Sequence, residues 1–373
     1  MAGASNTGRG RVFRDVRAWI ENGTVADGEP LPSERALAER FGVDRRTVRG
    51  ALNMLGDAGL LRSNGGRLRL AVKPRRLAPA LGSRLMGETI ALLASPRPVE
   101  PDPRMSHGWS NHVTAGAVRA VQDAGMSALT ISPDQMNRET IEALVAHQPF
   151  GAVVPEYEDQ IVIADWAAML QECGIQVVIH GDWPEVAAFD RVTSDHEAGA
   201  YAATRWLIEH GRRRIINVWP DRATQYWMPP RARGYRRAMT DAGLEPEPVI
   251  FVPFNRGDLV DEARIWAGYL VEHMNGSRGA DAIMLSSDGH VPVAWRACEL
   301  FGKRPNTDIA IAGYDNYWAD LPEASATWPL ITVDKRNDLL GERLIRLLLD
   351  RRAGGRSDEC IRDVVAPELI EVD

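Results

Sequence analysis

Seven short apolar runs punctuate the middle of the chain: TIALLA (89–94), GAVVP (151–155), QVVIH (176–180), RIINVW (214–219), PVIFVP (248–253), AIMLSS (282–287) and IAIAGY (309–314). Each is of strand length, and amphipathic stretches such as VTAGAVRAVQDAG, AYAATRWLIEHG and VPVAWRACELFG lie between them. Strands that alternate with helices in this way form parallel sheets covered by helices on both faces. From residue 88 to 373 the rhythm fills too much chain for one small sheet, so two lobes with a cleft between them are expected. In such sheets ligands bind beyond the carboxyl ends of the strands.

The first 72 residues follow another pattern. Val12, Val16, Trp19 and Ile20 recur at helical spacing, which predicts an amphipathic helix over 9–22. Ser33 is a good N-cap for a second helix over 33–41 that buries Leu37 and Phe41, and Gly42 breaks it. Asp44 caps a third helix with Val48, Leu52 and Leu55 on one stripe, Arg45, Arg46 and Arg49 left exposed, and Gly56 and Gly59 at its end. LLRSNGGRLRLAV then reads as a hairpin with Asn64-Gly65-Gly66 at its tip. Three helices and a hairpin make a winged helix-turn-helix. The expected divisions are 1–72 for this head, 73–87 for a Pro- and Arg-containing linker, and 88–373 for the two-lobed body.

Charge separates the same parts. Residues 1–76 carry +7 and the remainder −14. A basic head on an acidic body suits a polyanion-binding head whose body is repelled from phosphates. Arginine outnumbers lysine 41 to 3, a bias that does not explain why the basic excess sits in one segment. Cys173, Cys298 and Cys360 are scattered, which fits a reduced cytoplasm and inert packing rather than a disulfide framework. No apolar run of 18 residues predicts a membrane span, and MAGASNTGRGRVFRDV lacks the apolar core of a signal peptide. His107 and His112 lack a third ligand at metal spacing. No cofactor is expected: there is no GxSxG, Walker loop or GxGxxG, and Lys303 and Lys335 stand in no context fitting a cofactor lysine.

LPSERALAERFGVDRRTVRGAL closely resembles the GntR family of bacterial regulators. The resemblance implies DNA contacts by Arg35, Arg45, Thr47 and Arg49, with Gly65 and Gly66 at a wing tip that enters the minor groove. Arg46 joins this set as an exposed arginine on the same helix. Two departures stand out: Asp44 replaces the usual serine, and the wing reads NGGRLRL. An arginine that bridges guanine O6 and N7 discriminates bases by roughly 10- to 100-fold, whereas other arginines grip phosphate.

The body resembles the ligand-binding part of the LacI/GalR repressors, which is built like periplasmic sugar-binding proteins. TSDHEAGAYAATRWLIEHGRRRI (193–215), RARGYRRAMTDAGL (231–244), IMLSSDGHVPVAWRACELFG (283–302), DIAIAGYDNYW (308–318) and PLITV (329–333) carry the likeness. It implies an effector site of Arg231, Asp315, Ser287 and Asp288, with Trp109 as an aromatic flank and Asp182 or His180 at a first-lobe strand end. Ser287 stands where the family usually has asparagine. Such a set suits a polyol: a carboxylate accepts from hydroxyls, an arginine donates to oxygens, and an indole covers C–H faces. Trp227, Trp318 and Trp328 lie near the same loops.

The expectation is therefore a cytoplasmic α/β transcription regulator, a repressor that is not an enzyme. Its expected partners are double-stranded operator DNA, a sugar-like effector and a second copy of the chain in a homodimer, with no membrane. A solute receptor or an enzyme on the same α/β body is the alternative.

Overall fold

A computed structural model describes residues 8–21, 23–26, 28–57, 60–63, 69–71, 87–94, 108–155, 160–220, 225–253, 257–274, 279–316, 327–354 and 359–372. The head contains α1 (Gly8–Glu21), α2 (Glu34–Phe41), α3 (Arg45–Asp57) and the antiparallel pair β1 (Leu61–Ser63) and β2 (Arg69–Ala71). Val12, Phe13, Val16 and Ile20 of α1 are buried with Leu37 and Phe41 of α2 and Val48, Leu52 and Leu55 of α3. Each such side chain contributes about 1.5–3 kcal/mol on burial. Trp19 remains partly exposed, stacked on Phe41 at 5.5 Å under the Arg40 guanidinium. Gly42 closes α2 in the left-handed region at φ 63°, which glycine adopts without strain. α3 runs to Asp57, one residue past Gly56. Gly59, Asn64, Gly65 and Gly66 lie outside the described residues. Residues 28–31 add a third backbone rail to the wing, with Leu31 N–H donating to Arg69 O and Ala71 N–H to Glu29 O.

The body holds two six-stranded sheets. The first, in the order β13-β7-β6-β5-β3-β4, comprises β3 (Thr89–Leu93), β4 (Ser127–Ile131), β5 (Gly151–Val154), β6 (Val177–His180), β7 (Asp190–Ser194) and β13 (Arg362–Val365). All of its pairings are parallel. The second, β14-β12-β11-β10-β8-β9, comprises β8 (Ile215–Pro220), β9 (Ile250–Val252), β10 (Ala282–Leu285), β11 (Ala310–Ala312), β12 (Ile331–Asp334) and β14 (Glu368–Glu371). It is parallel except for β14, which runs antiparallel to β12. The seven apolar runs all contain strands. The edge strands β4, β13 and β14, which bury less surface, were not among those runs, and neither were β7 and β12, each one strand in from an edge.

Side-chain alternation builds the layers. Ile90 and Leu92 of β3 face α4 (Gly108–Asp123) and α11 (Asn337–Gly354), while Ala91 and Leu93 face α5 (Arg138–His147) and α6 (Gln160–Glu172). In the second lobe Ile216 and Ile283 join α9 (Leu259–Met274) and α10 (Val291–Leu300). Ile215, Ala282 and Ala310 join α7 (His196–Glu209) and α8 (Met228–Asp241) on the opposite face.

The chain passes between lobes three times: from β7 into α7, from β12 into α11, and from β13 into β14. The first and third crossings are tied to one another, for Asp195 N–H donates to Val365 O at 2.9 Å. No helix among the described residues is long and apolar enough to cross a membrane.

Candidate nucleic-acid interface and interlobe site

On the head, Arg45, Arg46 and Arg49 are exposed along the start of α3, and Arg35 is exposed on α2, 3.8 Å from Glu39. Two of the residues singled out from sequence are held by carboxylates. Asp44 Oδ1 accepts from Thr47 N–H and Asp44 Oδ2 from the Thr47 hydroxyl, both at 2.8 Å. The backbone bond from Thr47 leads in holding the Asp44 carboxyl below its usual range, as an N-cap should. Arg49 meets Glu34 through Nε at 3.2 Å and Nη2 at 2.9 Å, and this bond holds the Glu34 carboxyl below its usual range. Arg49 is therefore held toward Glu34 of α2, while Arg45 and Arg46 are exposed.

Between the lobes, the β10, β11 and β12 ends, the first two crossings and one strand end of the first lobe converge on a buried polar cluster. α8 supplies Arg231, which is 4% exposed. Gly234, one turn later, lets α8 lie directly on α7: a Cβ there would stand 2.2 Å from Glu197 O. That approach directs Arg231 inward, where its Nη1 donates to Ser286 O at 2.9 Å and its Nε to His196 Nδ1 at 3.3 Å. Its guanidinium lies over the rings of Tyr314 (3.4 Å) and Trp227 (4.3 Å). Arg233 and Arg237 on the same helix point away and pair with Glu197, so the basic run divides into one buried and several surface arginines.

Asp315 follows β11 with φ 90°, a left-handed conformation that costs a non-glycine residue about 1–3 kcal/mol. Its Oδ1 faces Lys335 Nζ at 2.9 Å and Arg231 Nη2 at 3.8 Å. Lys335, on the second crossing and 6% exposed, also lies 4.3 Å from the centre of the Trp109 ring on α4. One ammonium thus joins an aromatic of the first lobe to a carboxylate of the second. Burial lowers the Lys335 pKa below the usual lysine range; Asp315 opposes that shift and Arg231 adds to it.

His180 sits behind Trp109, ring centroids 5.9 Å apart, with Nδ1 3.0 Å from Pro155 O. Burial, with Lys335 nearby, lowers its pKa to about 3, so it is neutral at pH 7. His196 is held well below its usual value by burial and by Arg231. The Tyr226 ring meets Trp183 of the first lobe at 5.2 Å and His196 at 5.4 Å.

The structure thus brings Arg231, Asp315, Trp109, His180 and Trp227 together, and adds Lys335, His196 and Tyr226. It sets the others apart. Asp182 is clamped by Arg191 (2.7 Å) and Arg362 (2.8 Å) at the edge of a neighbouring cavity of about 180 Å3. Burial alone would raise its carboxyl, but the bonds from Arg362 and Arg191 outweigh that and hold it low. Asp288 is fully buried and accepts from the Thr332 hydroxyl at 2.8 Å, which ties β10 to β12. Ser287 is half-buried beside it. Trp328 packs on Trp295, and Trp318 and His107 lie outside the described residues. His112 stands 3.9 Å from Asp338, on a surface of α4. Cys173 and Cys298 are buried and their thiols pushed up to about 11 and about 12 by desolvation, which keeps them protonated; Cys360 is exposed.

Sequence reasoning passed over Lys335. One signal for it existed: lysine occurs three times against 41 arginines, so a lysine retained beside the PLITV strand is unusual in this chain.

A helix-turn-helix with a wing, carried on a two-lobed body whose polar cluster lies between the lobes, defines the class. Residues 9–67 match the family of bacterial regulatory proteins of the gntR type, and residues 204–371 match a periplasmic binding protein-like domain. The chain is 29% identical over 205 residues to the HTH-type transcriptional regulator CelR of Thermobifida fusca, covering 54% of this chain and 57% of that protein. It is 30% identical over 210 residues to the HTH-type transcriptional repressor PurR of Salmonella paratyphi B, covering 55% and 58%. It therefore spans less than three fifths of the length of these curated relatives. A solved complex of the transcriptional regulator CelR with cellobiose superposes with a TM-score of 0.58 at 22% identity, covering 91% of this chain and 98% of that one, a likeness of fold. The chain accordingly carries a GntR-type helix-turn-helix domain fused to a periplasmic-binding-protein-like domain, and its homologues are regulators of the LacI family.

Proposed function

We propose that this protein is a DNA-binding transcriptional repressor, located in the cytoplasm, whose grip on an operator is set by a small polar ligand between its lobes. The observation that carries the reading is the start of α3, where Arg45, Arg46 and Arg49 stand exposed beside one another on a helix-turn-helix. Side chains so placed reach base edges in the major groove. Arg35 grips phosphate from α2, and Gly65 and Gly66 bring the wing backbone close to the minor groove.

The chain acts as a homodimer on an inverted repeat, with half-sites about 34–36 Å apart or a multiple of that. The ligand is a sugar-like polyol held by Arg231, Asp315, Trp109 and His180, with Asp182, Ser287 and Asp288 shaping the strand ends around it. Its arrival rearranges the lobes about the three crossings and moves the heads. Coupling of this kind is typically about 1–3 kcal/mol. The divisions at 1–72, 73–87 and 88–373 are part of the same reading, and limited proteolysis should cut first within 73–87.

Fluorescence anisotropy with labelled DNA from upstream of the protein's own locus tests the reading. Specific binding that competitor DNA does not displace is expected, with its affinity falling steeply as salt rises. Binding indifferent to DNA sequence and salt would overturn it.

A further inference from the structure

We propose that the head rides on the first lobe as one unit. The C-terminal end of α6 is a docking surface, its occupant is α1 of the same chain, and this joint holds the recognition helix α3 in the pose that grips DNA. The dock stands apart from the reading as a repressor; only its consequence for DNA rests on that reading.

Two faces of α1 are in use. Val12, Phe13, Val16 and Ile20 enter the head's own core, while Gly10, Arg14 and Arg17, spaced by four and three residues, share another stripe. Gly10 is buried and Arg14 and Arg17 are half-buried, whereas Arg9, Arg11 and Ala18 around them are exposed. The last turn of α6 covers that stripe. A Cβ on Gly10 would stand 2.7 Å from Glu172 Cβ and 3.2 Å from Glu172 Cα, and the three nearest atoms outside its own helix all belong to Glu172. A glycine lets the two helices approach so closely. One turn on, Arg14 Nη1 donates to Glu172 O at 3.2 Å. That carbonyl ends α6, where the helix dipole is negative and a cation is favoured. Cys173 follows and is buried; Arg17 and Arg14 both draw its thiol down against the rise that burial and Glu172 impose. The buried apolar side chains of the head and of the first lobe form one continuous cluster.

A tether by itself would not place the head. A chain of the length of 73–87 spreads its ends over roughly 20 Å. That is more than half of the ~34 Å between successive turns of DNA. A shift of the first lobe by a few ångström would be lost in that spread. Seated on α6, the head takes up the lobe's movement directly. The docked pose also leaves the reading surface clear, for Arg45, Arg46 and Arg49 are exposed while α1 is seated.

The test uses the full chain carrying Gly10→Ala or Gly10→Leu. Alanine favours α1 as a helix, so its effect reads the approach to Glu172 and not the folding of the head. Both variants should lower the temperature at which the head unfolds in calorimetry, and Glu172→Gly, which removes the crowded Cβ, should bring Gly10→Ala back toward the wild type. In a chain with Cys173→Ala and Cys360→Ala, Gly10→Cys and Glu172→Cys should form a disulfide within one chain on mild oxidation. A relaxation of about 1 Å brings their Cβ atoms into the usual range of roughly 3.5–4.5 Å. On labelled DNA from upstream of the protein's own locus, Gly10→Leu should bind ~10-fold or more weaker, because heads held in place bind both half-sites at less cost. Its binding to random DNA should be unchanged, and the cross-linked chain should keep wild-type affinity. No cross-link, a cross-link formed between chains, or a head that unfolds no sooner in Gly10→Ala than in the wild type would each overturn the dock. A cross-link together with unchanged operator affinity in Gly10→Leu would overturn its part in DNA binding. Absence of specific DNA binding in every form, the wild type included, fails the repressor reading instead, and the cross-link and the melting still decide the dock.

Discussion

The head and the body use arginine in opposite ways. On α3, Arg45, Arg46 and Arg49 stand in water, where a charge is cheap and its interactions are screened. In the body, Arg231 is almost fully buried, stacked on Tyr314 and Trp227 and bonded to Ser286 and His196. Apart from Arg49, which Glu34 holds, these head charges are available for a partner that brings its own negative charge. The body has already removed water from its cations, so whatever replaces that water must be chosen closely. An exposed basic surface thus suits a polyanion of any sequence with a few positions discriminated. A buried cluster suits one small molecule.

The largest effect that would break this contrast is Asp315→Asn. It leaves Lys335 and Arg231 facing one another without a carboxylate and should destabilise the protein by about 3–5 kcal/mol, as breaking a buried pair does. Urea unfolding measures it, and a loss below 1 kcal/mol would show that the cluster is hydrated like the head.

Next comes pH. His180 has its pKa lowered to about 3 by burial, against 6.5 for the free side chain. Between these values the unfolded chain binds the proton and the folded one does not. Stability from this group is therefore complete above about pH 6.5 and is lost as pH falls toward 3, at about 1.4 kcal/mol per unit. His196, shifted the same way, steepens the fall. Denaturation midpoints between pH 7 and 4 should show the slope, and His180→Leu should flatten it.

On the other side of the comparison, Arg45→Ala with Arg49→Ala should weaken operator binding by roughly 100-fold or more while leaving ligand-induced thermal shifts unchanged. Retained specific binding in anisotropy would remove α3 from the interface. Glu34→Gln tests the direction of Arg49. Releasing the guanidinium should lower base discrimination by roughly tenfold or less, with little change in affinity for random DNA. The smallest effect is expected at Arg35–Glu39, an exposed pair whose loss in Glu39→Gln should change stability by under about 0.5 kcal/mol in thermal unfolding.

Arg231 and Asp315 were legible because each belongs to a local pattern: Arg-x-x-Gly-Tyr in a helix, and Gly-Tyr-Asp at a strand end. Asp182 was legible only as a strand-end carboxylate, and its clamp by Arg362 depends on β13, 180 residues later in the chain. Asp288 looked like a ligand residue for the same local reason, yet its Oδ1 is aligned by Thr332 from another strand. Lys335 carried no local pattern at all.

The sequence by itself determined the two halves of the molecule. Helical spacing, the caps at Ser33 and Asp44 and the strand–helix rhythm are short-range properties, written within a few residues of where they act. It also determined the charge of each half, which needs only counting. Which charges face solvent, and which meet, was decided by tertiary structure. Arg231 and Arg233 are two residues apart, yet Gly234 packs α8 onto α7 so that one is buried and the other pairs at the surface. Lys335 becomes a site residue only because the second crossing sets it between Trp109 of one lobe and Asp315 of the other. A buried charge takes its meaning from neighbours brought by folding, and those neighbours are far away in sequence.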